Sequence, residues 1–340
     1  MSRTRILTTV MIVILGLLTS LVLSGCDLIN LSAGDASKGA QAPQQIQQQT
    51  PDTQDSSDDS DSVTTPPPVI VIPDILVPVA SGIDVEENGQ AVIDISNKQD
   101  GYIMAKYIEE TDMKIKLLIS APDGIQYTYE LHPGWDFEVY PLSGGNGLYE
   151  IGIWKQVEDS RYSLVLTATI DVVLVDEFAP FLRPNQFVNF TKDSNAVRKA
   201  AELTAGADDV MEKVTAIYHF VIKNIVYDVQ LAETVQSGYL PDIDKILESG
   251  KGICFDYSAL MASMLHSQGI PTKLVIGYTS EVKHAWLSVY SEQDGWLDNV
   301  IHFNGYTWEL VDPTLAAGGS GSNLAAYIGD GSNYTISSFH

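Results

Sequence analysis

The chain has 340 residues, 45% of them hydrophobic and 19% charged, and its formal net charge is −25. That length accommodates two domains and a linker. So negative a chain is repelled by phosphate backbones, which excludes nucleic acid as a partner class. Its two cysteines are too few for a disulfide framework.

Met1 to Arg5 carries two arginines, Ile6 to Leu23 is a mostly apolar run, and Leu23-Ser24-Gly25-Cys26 ends it with small residues. A charged start, an apolar stretch and a small-residue cleavage site predict an export signal over residues 1–25. The Leu-Ser-Gly-Cys ending resembles the lipobox of bacterial lipoproteins. The resemblance implies cleavage before Cys26, a lipid on its thiol, and anchoring to the cell membrane facing the extracellular side. The alternative is an uncleaved membrane span, which Thr19, Ser20, Ser24 and Gly25 weaken at its end. Either arrangement places the bulk of the chain outside the cytoplasmic membrane.

Residues 26–68 read as a tether. Gln44-Gln45-Ile46-Gln47-Gln48-Gln49 and Ser56-Ser57-Asp58-Asp59-Ser60-Asp61 are too poor in apolar groups to offset the entropy of ordering, and Pro66-Pro67-Pro68 stiffens the exit.

From 69 to 178 the hydrophobic pattern has period two, with breaks at Pro122-Asp123-Gly124, His132-Pro133-Gly134 and Gly144-Gly145-Asn146-Gly147. Short strands separated by such turns predict an antiparallel, sandwich-like β module. Leu164, Leu166, Ala168, Ile170, Val172 and Leu174 are expected on one face. Tyr127, Tyr129, Trp135 and Tyr149 are either an exposed ligand platform or cross-strand packing. A linker, 179–194, carries Pro180 and Pro184.

Helical spacing takes over in 195–340. A short helix is expected at Ala196–Thr204. A longer one starts at Asp209 and carries Val210, Val214, Ile217, Val221 and Ile225 on one face, and another opens at Pro241. Gly250 and Gly252 interrupt before a helix that begins at Cys254, is apolar on nearly all sides, and stops at Gly269-Ile270-Pro271. Strands are expected at Thr272–Tyr278, His284–Tyr290 and Tyr306–Val311. Glu292 to Asn304 is expected as a connection with Asp294 and Asp298 solvated. The tail 316–340 reads as loop plus a closing strand. Helices followed by an antiparallel sheet predict an α+β fold.

Cys254 is the chain's one thiol beyond the leader. At the first turn of a helix, unpaired N–H groups and the positive dipole end favour a thiolate. Its own N–H could stabilise an oxyanion, and Gly250 and Gly252 would let a substrate carbonyl approach. A buried structural cysteine is the plain alternative. For a base, His266 is excluded because it lies about 18 Å along the same helix. His284 opens a strand with Trp286 on its own face, and His219 ranks lower. Asp312 shares the strand parity of Trp308 and Leu310, where a carboxylate needs a partner such as His284. A thiol, an imidazole and a carboxylate are the parts of an activated cysteine nucleophile.

Gly252-x-Cys254-x-Asp256-Tyr257-Ser258, His284-Ala285-Trp286 and Val311-Asp312-Pro313-Thr314 resemble the three motifs of the transglutaminase-like superfamily, and Tyr227-Asp228 resembles that family's lead-in. The resemblance covers about Asn195 to Thr314. It implies a papain-like core with Cys254 as nucleophile, His284 as base and Asp312 as orienter, acting on peptide or protein amides through a thioester. Gly252, Tyr227 and Trp286 are candidates for the oxyanion hole or the cleft. The chain departs from the family at Leu315, where relatives often carry Trp. No metal cluster or nucleotide-binding glycine motif is visible, so no cofactor is expected. The expected partner is a peptide or protein substrate, of the cell wall or elsewhere, with hydrolysis favoured over cross-linking. The alternative is a binding lipoprotein of little turnover.

Overall fold

The computed structural model describes residues 70–279, 282–303, 308–310 and 334–340. The leader, Cys26, the whole tether and the Val311–Thr314 motif with Asp312 lie outside the described residues. Pro68–His340 forms one compact unit.

Its first half is two antiparallel four-stranded sheets. One has β1 (Val85–Glu87), β2 (Ala91–Asp94), β3 (Tyr102–Tyr107) and β6 (Glu138–Pro141) in the order β1-β2-β3-β6. The other has β4 (Ile115–Ser120), β5 (Gln126–Leu131), β7 (Gly147–Glu158) and β8 (Arg161–Val172) in the order β5-β4-β7-β8. Strand alternation decides what they bury. Along β5, Tyr127, Tyr129 and Leu131 point inward while Gln126 and Thr128 are exposed. Ile93, Ile103 and Tyr107 from one sheet join Leu117, Tyr129, Ile151 and Ile170 from the other in a single core. Tyr127, Tyr129 and Tyr149 are therefore core residues, which removes them from any ligand platform. Of the four aromatics, Trp135 alone is exposed, and it stacks on His132 at 4.1 Å.

The long face expected on β8 breaks at one point. The pairing shifts between Ile153↔Leu166 and Trp154↔Leu164, so Val165 is the extra residue of a bulge. The bulge reverses the parity: Leu164 is 48% exposed, while Val165 packs on the core.

The second half begins with α1 (Asn195–Leu203) and α2 (Val210–Asn224), the latter capped by Asp209, whose carboxylate accepts the Met211 N–H. Then come α3 (Val229–Thr234), a helix the sequence pattern did not signal, and α4 (Ile243–Ser249). A two-residue parallel bridge joins β9 (Val226–Tyr227) to β10 (Lys251–Gly252). Helix α5 (Cys254–His266) is buried at every position from Asp256 onward, as its apolar girth requires.

The closing sheet is antiparallel, in the order β14-β13-β12-β11-β15. Its strands are β11 (Thr272–Thr279), β12 (Val282–Ser291), β13 (Gly295–Phe303), β14 (Trp308–Leu310) and β15 (Tyr334–Phe339). The stretch expected as a connection from Glu292 to Asn304 is thus a tight turn followed by β13. Asp294 and Asp298 are exposed there, as anticipated. Ala259, Leu260, Met264 and Leu265 of α5 pack with Leu274, Leu287 and Val289 of the sheet. Helices on an antiparallel sheet make this half α+β.

Candidate active site

The first turn of α5 is held by its own sequence. Ile253 takes the N-cap position with no side-chain acceptor, so the cap is supplied from below. Asp256, three residues on, accepts the Ile253 N–H at 2.8 Å and the Tyr239 hydroxyl at 2.7 Å. That carboxylate is fully buried. A Cβ on Gly252 would lie 2.6 Å from Asp256 Cβ. The bare backbone at Gly252 therefore makes room for Asp256, whereas the sequence had suggested room for a substrate carbonyl. Gly250, at φ +63°, is the left-handed cap that ends α4.

Tyr227 and Gly252 are register partners in the parallel bridge, closed by N–H donation from Val226 to Gly250 O and from Asp228 to Gly252 O. Asp228 then caps α3 through the Leu231 N–H. Tyr257 ties the same corner together, its hydroxyl donating to Ile225 O at 2.6 Å. Tyr227, partly buried beside the core, has its phenol pushed up by burial first, then by the charges of Cys254 and Asp256. Tyr227, Gly252 and Cys254 are thus neighbours.

His284 arrives on β12, opposite Gly277 of β11. It is buried and lies near-parallel to the Trp286 ring, with centroids 6.3 Å apart. Trp286 fits because Gly277 has no side chain: a Cβ there would sit 2.7 Å from the indole and 2.1 Å from Thr335 O. Between His284 and Trp286 stands Ala285, whose backbone N–H lies close enough to the Cys254 sulfur to pull its thiol pKa down. That proximity brings the nucleophile candidate to the strand that carries the base candidate.

Cys254 is partly exposed. Burial around its sulfur pushes the thiol up, and N–H groups of Ala285, Phe255 and Cys254 itself pull only part of the way back. The buried Asp256 charge adds to the upward push. The helix N-terminus therefore acts in the expected direction but loses to desolvation.

The remaining histidines are elsewhere. His266 Nε2 donates to Thr272 O, 2.7 Å away, and burial takes its pKa down to about 4. His219 is exposed on α2. Asp312 lies outside the described residues. Asp256 and Tyr239 were not singled out in the sequence as parts of the site. The spacing Ile253-x-x-Asp256 before an apolar run was a legible cap signal, but nothing local marks Tyr239, whose contact spans 17 residues. Among the described residues, no three His, Cys, Asp or Glu side chains cluster as metal ligands.

Residues 197–299 match the family model "Transglutaminase-like superfamily". That range contains Tyr227, Gly252, Cys254, His284 and Trp286, and ends before Asp312. "Uncharacterized protein YebA" of Bacillus subtilis (strain 168) is 30% identical over 118 residues, covering 29% of this chain and 16% of that relative's length. Among solved structures, "a Putative Cysteine Protease from Cytophaga hutchinsonii" aligns over 70% of this chain and 81% of its own, at 17% identity and a TM-score of 0.33. "A Putative Protease from Parabacteroides distasonis ATCC 8503" aligns over 58% and 61%, at 13% identity and a TM-score of 0.25. Residues 197–299 of this chain are thus similar to the transglutaminase-like superfamily, and the chain spans less than a fifth of the length of the relative from Bacillus subtilis.

Proposed function

We propose that the protein is a cysteine acyl-transfer enzyme that opens peptide or protein amides through a thioester on Cys254. The supporting observation is that the Cys254 sulfur, at the head of α5, lies within the influence of the N–H of Ala285, the residue beside His284. His284 takes the thiol proton as the sulfur attacks the carbonyl, then returns it to the leaving amine. Asp312 orients His284, and the Cys254 N–H holds the oxyanion. Trp286 forms the wall that keeps water off the imidazole, and Tyr227 and Gly252 border the cleft. Water resolves the thioester, so hydrolysis is favoured over cross-linking. The lipid on Cys26 anchors the chain on the outer side of the cell membrane, and the tether lets the enzyme reach substrates of the envelope.

One observation favours a second reading. A thiol raised by burial suits a site of little turnover, in a lipoprotein that binds a wall polymer or a partner.

The two readings separate when a mixed peptide library is incubated with the protein and a labelled primary amine, with products read by mass spectrometry. Hydrolysis predicts new free carboxyl termini that vanish in C254S. Amine incorporation as the main product would overturn the preference for water. No product of either kind would favour the binding reading.

A further inference from the structure

A cavity of about 320 Å³ opens between the β6–β7 connection and the closing sheet, well within the size of small-molecule sites. It lies apart from Cys254: Lys273, its cation, is four residues along β11 from Gly277, the partner of His284, or roughly 13 Å of strand. Val275 and Trp286, both buried, stand between.

Its lining has an unusual cation. The Lys273 ammonium sits 3.8 Å from the centroid of the Trp296 ring and 5.1 and 5.2 Å from those of Phe181 and Phe339. Among the described residues no carboxylate comes within ion-pair distance of it. Burial pulls its pKa down, only partly offset by the charges of Asp298 and Glu177. A partly buried ammonium without a close anion has a desolvation cost left uncompensated.

Ser143, also lining the cavity, has a buried hydroxyl with no hydrogen-bond partner among the described residues. Buried hydroxyls in native proteins are rarely left so. Glu177 and Asp123, both exposed, give the rim negative charge. Asp123 is already engaged by the Ile125 N–H and the Tyr127 hydroxyl, which leaves Glu177 as the open acceptor.

We propose that this cavity binds a small zwitterion with an apolar side chain, a free amino acid or the end of a short peptide. Its carboxylate pairs with Lys273 and reaches the Ser143 hydroxyl by a small shift of that side chain. Its ammonium faces Glu177, and its side chain lies against the Trp296 and Phe181 rings. One cation flanked by two acids disfavours phosphates and other polyanions. The aromatic walls disfavour a bare inorganic ion. The site does not depend on the chemistry proposed for Cys254.

The test is a calorimetric titration of the full chain with phenylalanine, phenylalaninamide and N-acetylphenylalanine. Phenylalanine is expected to bind saturably, and removing either charge should weaken it at least about tenfold. K273M should weaken phenylalanine to the level of the amide, while peptide hydrolysis by the same preparation continues. Overturning results are no saturable binding of phenylalanine, equal binding of either capped form, or undiminished binding to folded K273M. The ligand series needs only the unaltered protein, so it decides the question even where K273M fails to fold.

Discussion

The Cβ that Gly252 lacks would overlap the Cβ of Asp256 at 2.6 Å, so the glycine before the nucleophile candidate is a seat for a buried carboxylate. Gly252→Ala must push Asp256 out of its cap position, because both groups sit on short, buried backbone. The expected cost is about 1–3 kcal/mol, the usual range for overpacking. A lowered urea midpoint with an unchanged slope checks it.

The Tyr239 hydroxyl to Asp256 bond joins the loop before α4 to the first turn of α5. Tyr239→Phe removes one donor from a buried carboxylate and should cost about 1.5–3 kcal/mol. Asp256→Asn breaks the same interaction, so the two losses should fall short of additive in the double variant. Full additivity in chemical denaturation would show that the two residues act independently.

Desolvation outweighs the helix end at Cys254, and that sets the pH at which the thiol reacts unaided. A raised thiol keeps its proton to higher pH than free cysteine. Alkylation of Cys254 by iodoacetamide should therefore rise with a midpoint above about 8.5. Stopped assays across pH 6–11 measure it, and a midpoint below about 7 would restore the resting thiolate that the sequence suggested.

His266 and His340 give the fold an acid limit. Burial holds His266 at about 4 and, with the charge of Lys283 adding to it, His340 at about 3. Both values lie below the unfolded histidine value near 6.5, so the unfolded chain takes up protons first as pH falls. Their contribution is fully present above about 6.5 and is lost progressively toward pH 4 and below, on the order of 3 kcal/mol for His266. Urea midpoints measured from pH 8 to 4 should fall over that window. His266→Gln, which can keep a bond to Thr272 O, should flatten the fall.

Much of this was legible in the chain. Period-two runs gave the β module, and the i, i+4 spacing of α2 gave its buried face. The glycines before Cys254 gave the start of α5, and the run from His284 gave a strand of the sheet. What escaped notice depended on contacts distant in sequence or on single irregularities. The bulge at Val165 turned Leu164 outward without any local signal. Strand β13 was obscured because Asp294 and Asp298 make its start look like a loop, although Trp296, Leu297 and Val300 supply strand formers. Gly277 carries no local signal, since the groups that fill its side-chain space, Trp286 and Thr335, come from neighbouring strands. Lys273 carried no motif at all, since its rings come from Phe181, Trp296 and Phe339, which are scattered along the sequence.

The central claim is that Cys254 is a nucleophile driven by His284, and trapping its acyl form tests that directly. The protein is mixed with p-nitrophenyl acetate, quenched in acid during turnover, digested and analysed by mass spectrometry. The account predicts one acetyl group on the peptide containing Cys254, none on that peptide in C254S, and acylation slowed by about 10²–10⁴ in H284A, the usual contribution of a positioned base. An unmodified Cys254 peptide, or an acylation rate unchanged in H284A, would contradict it.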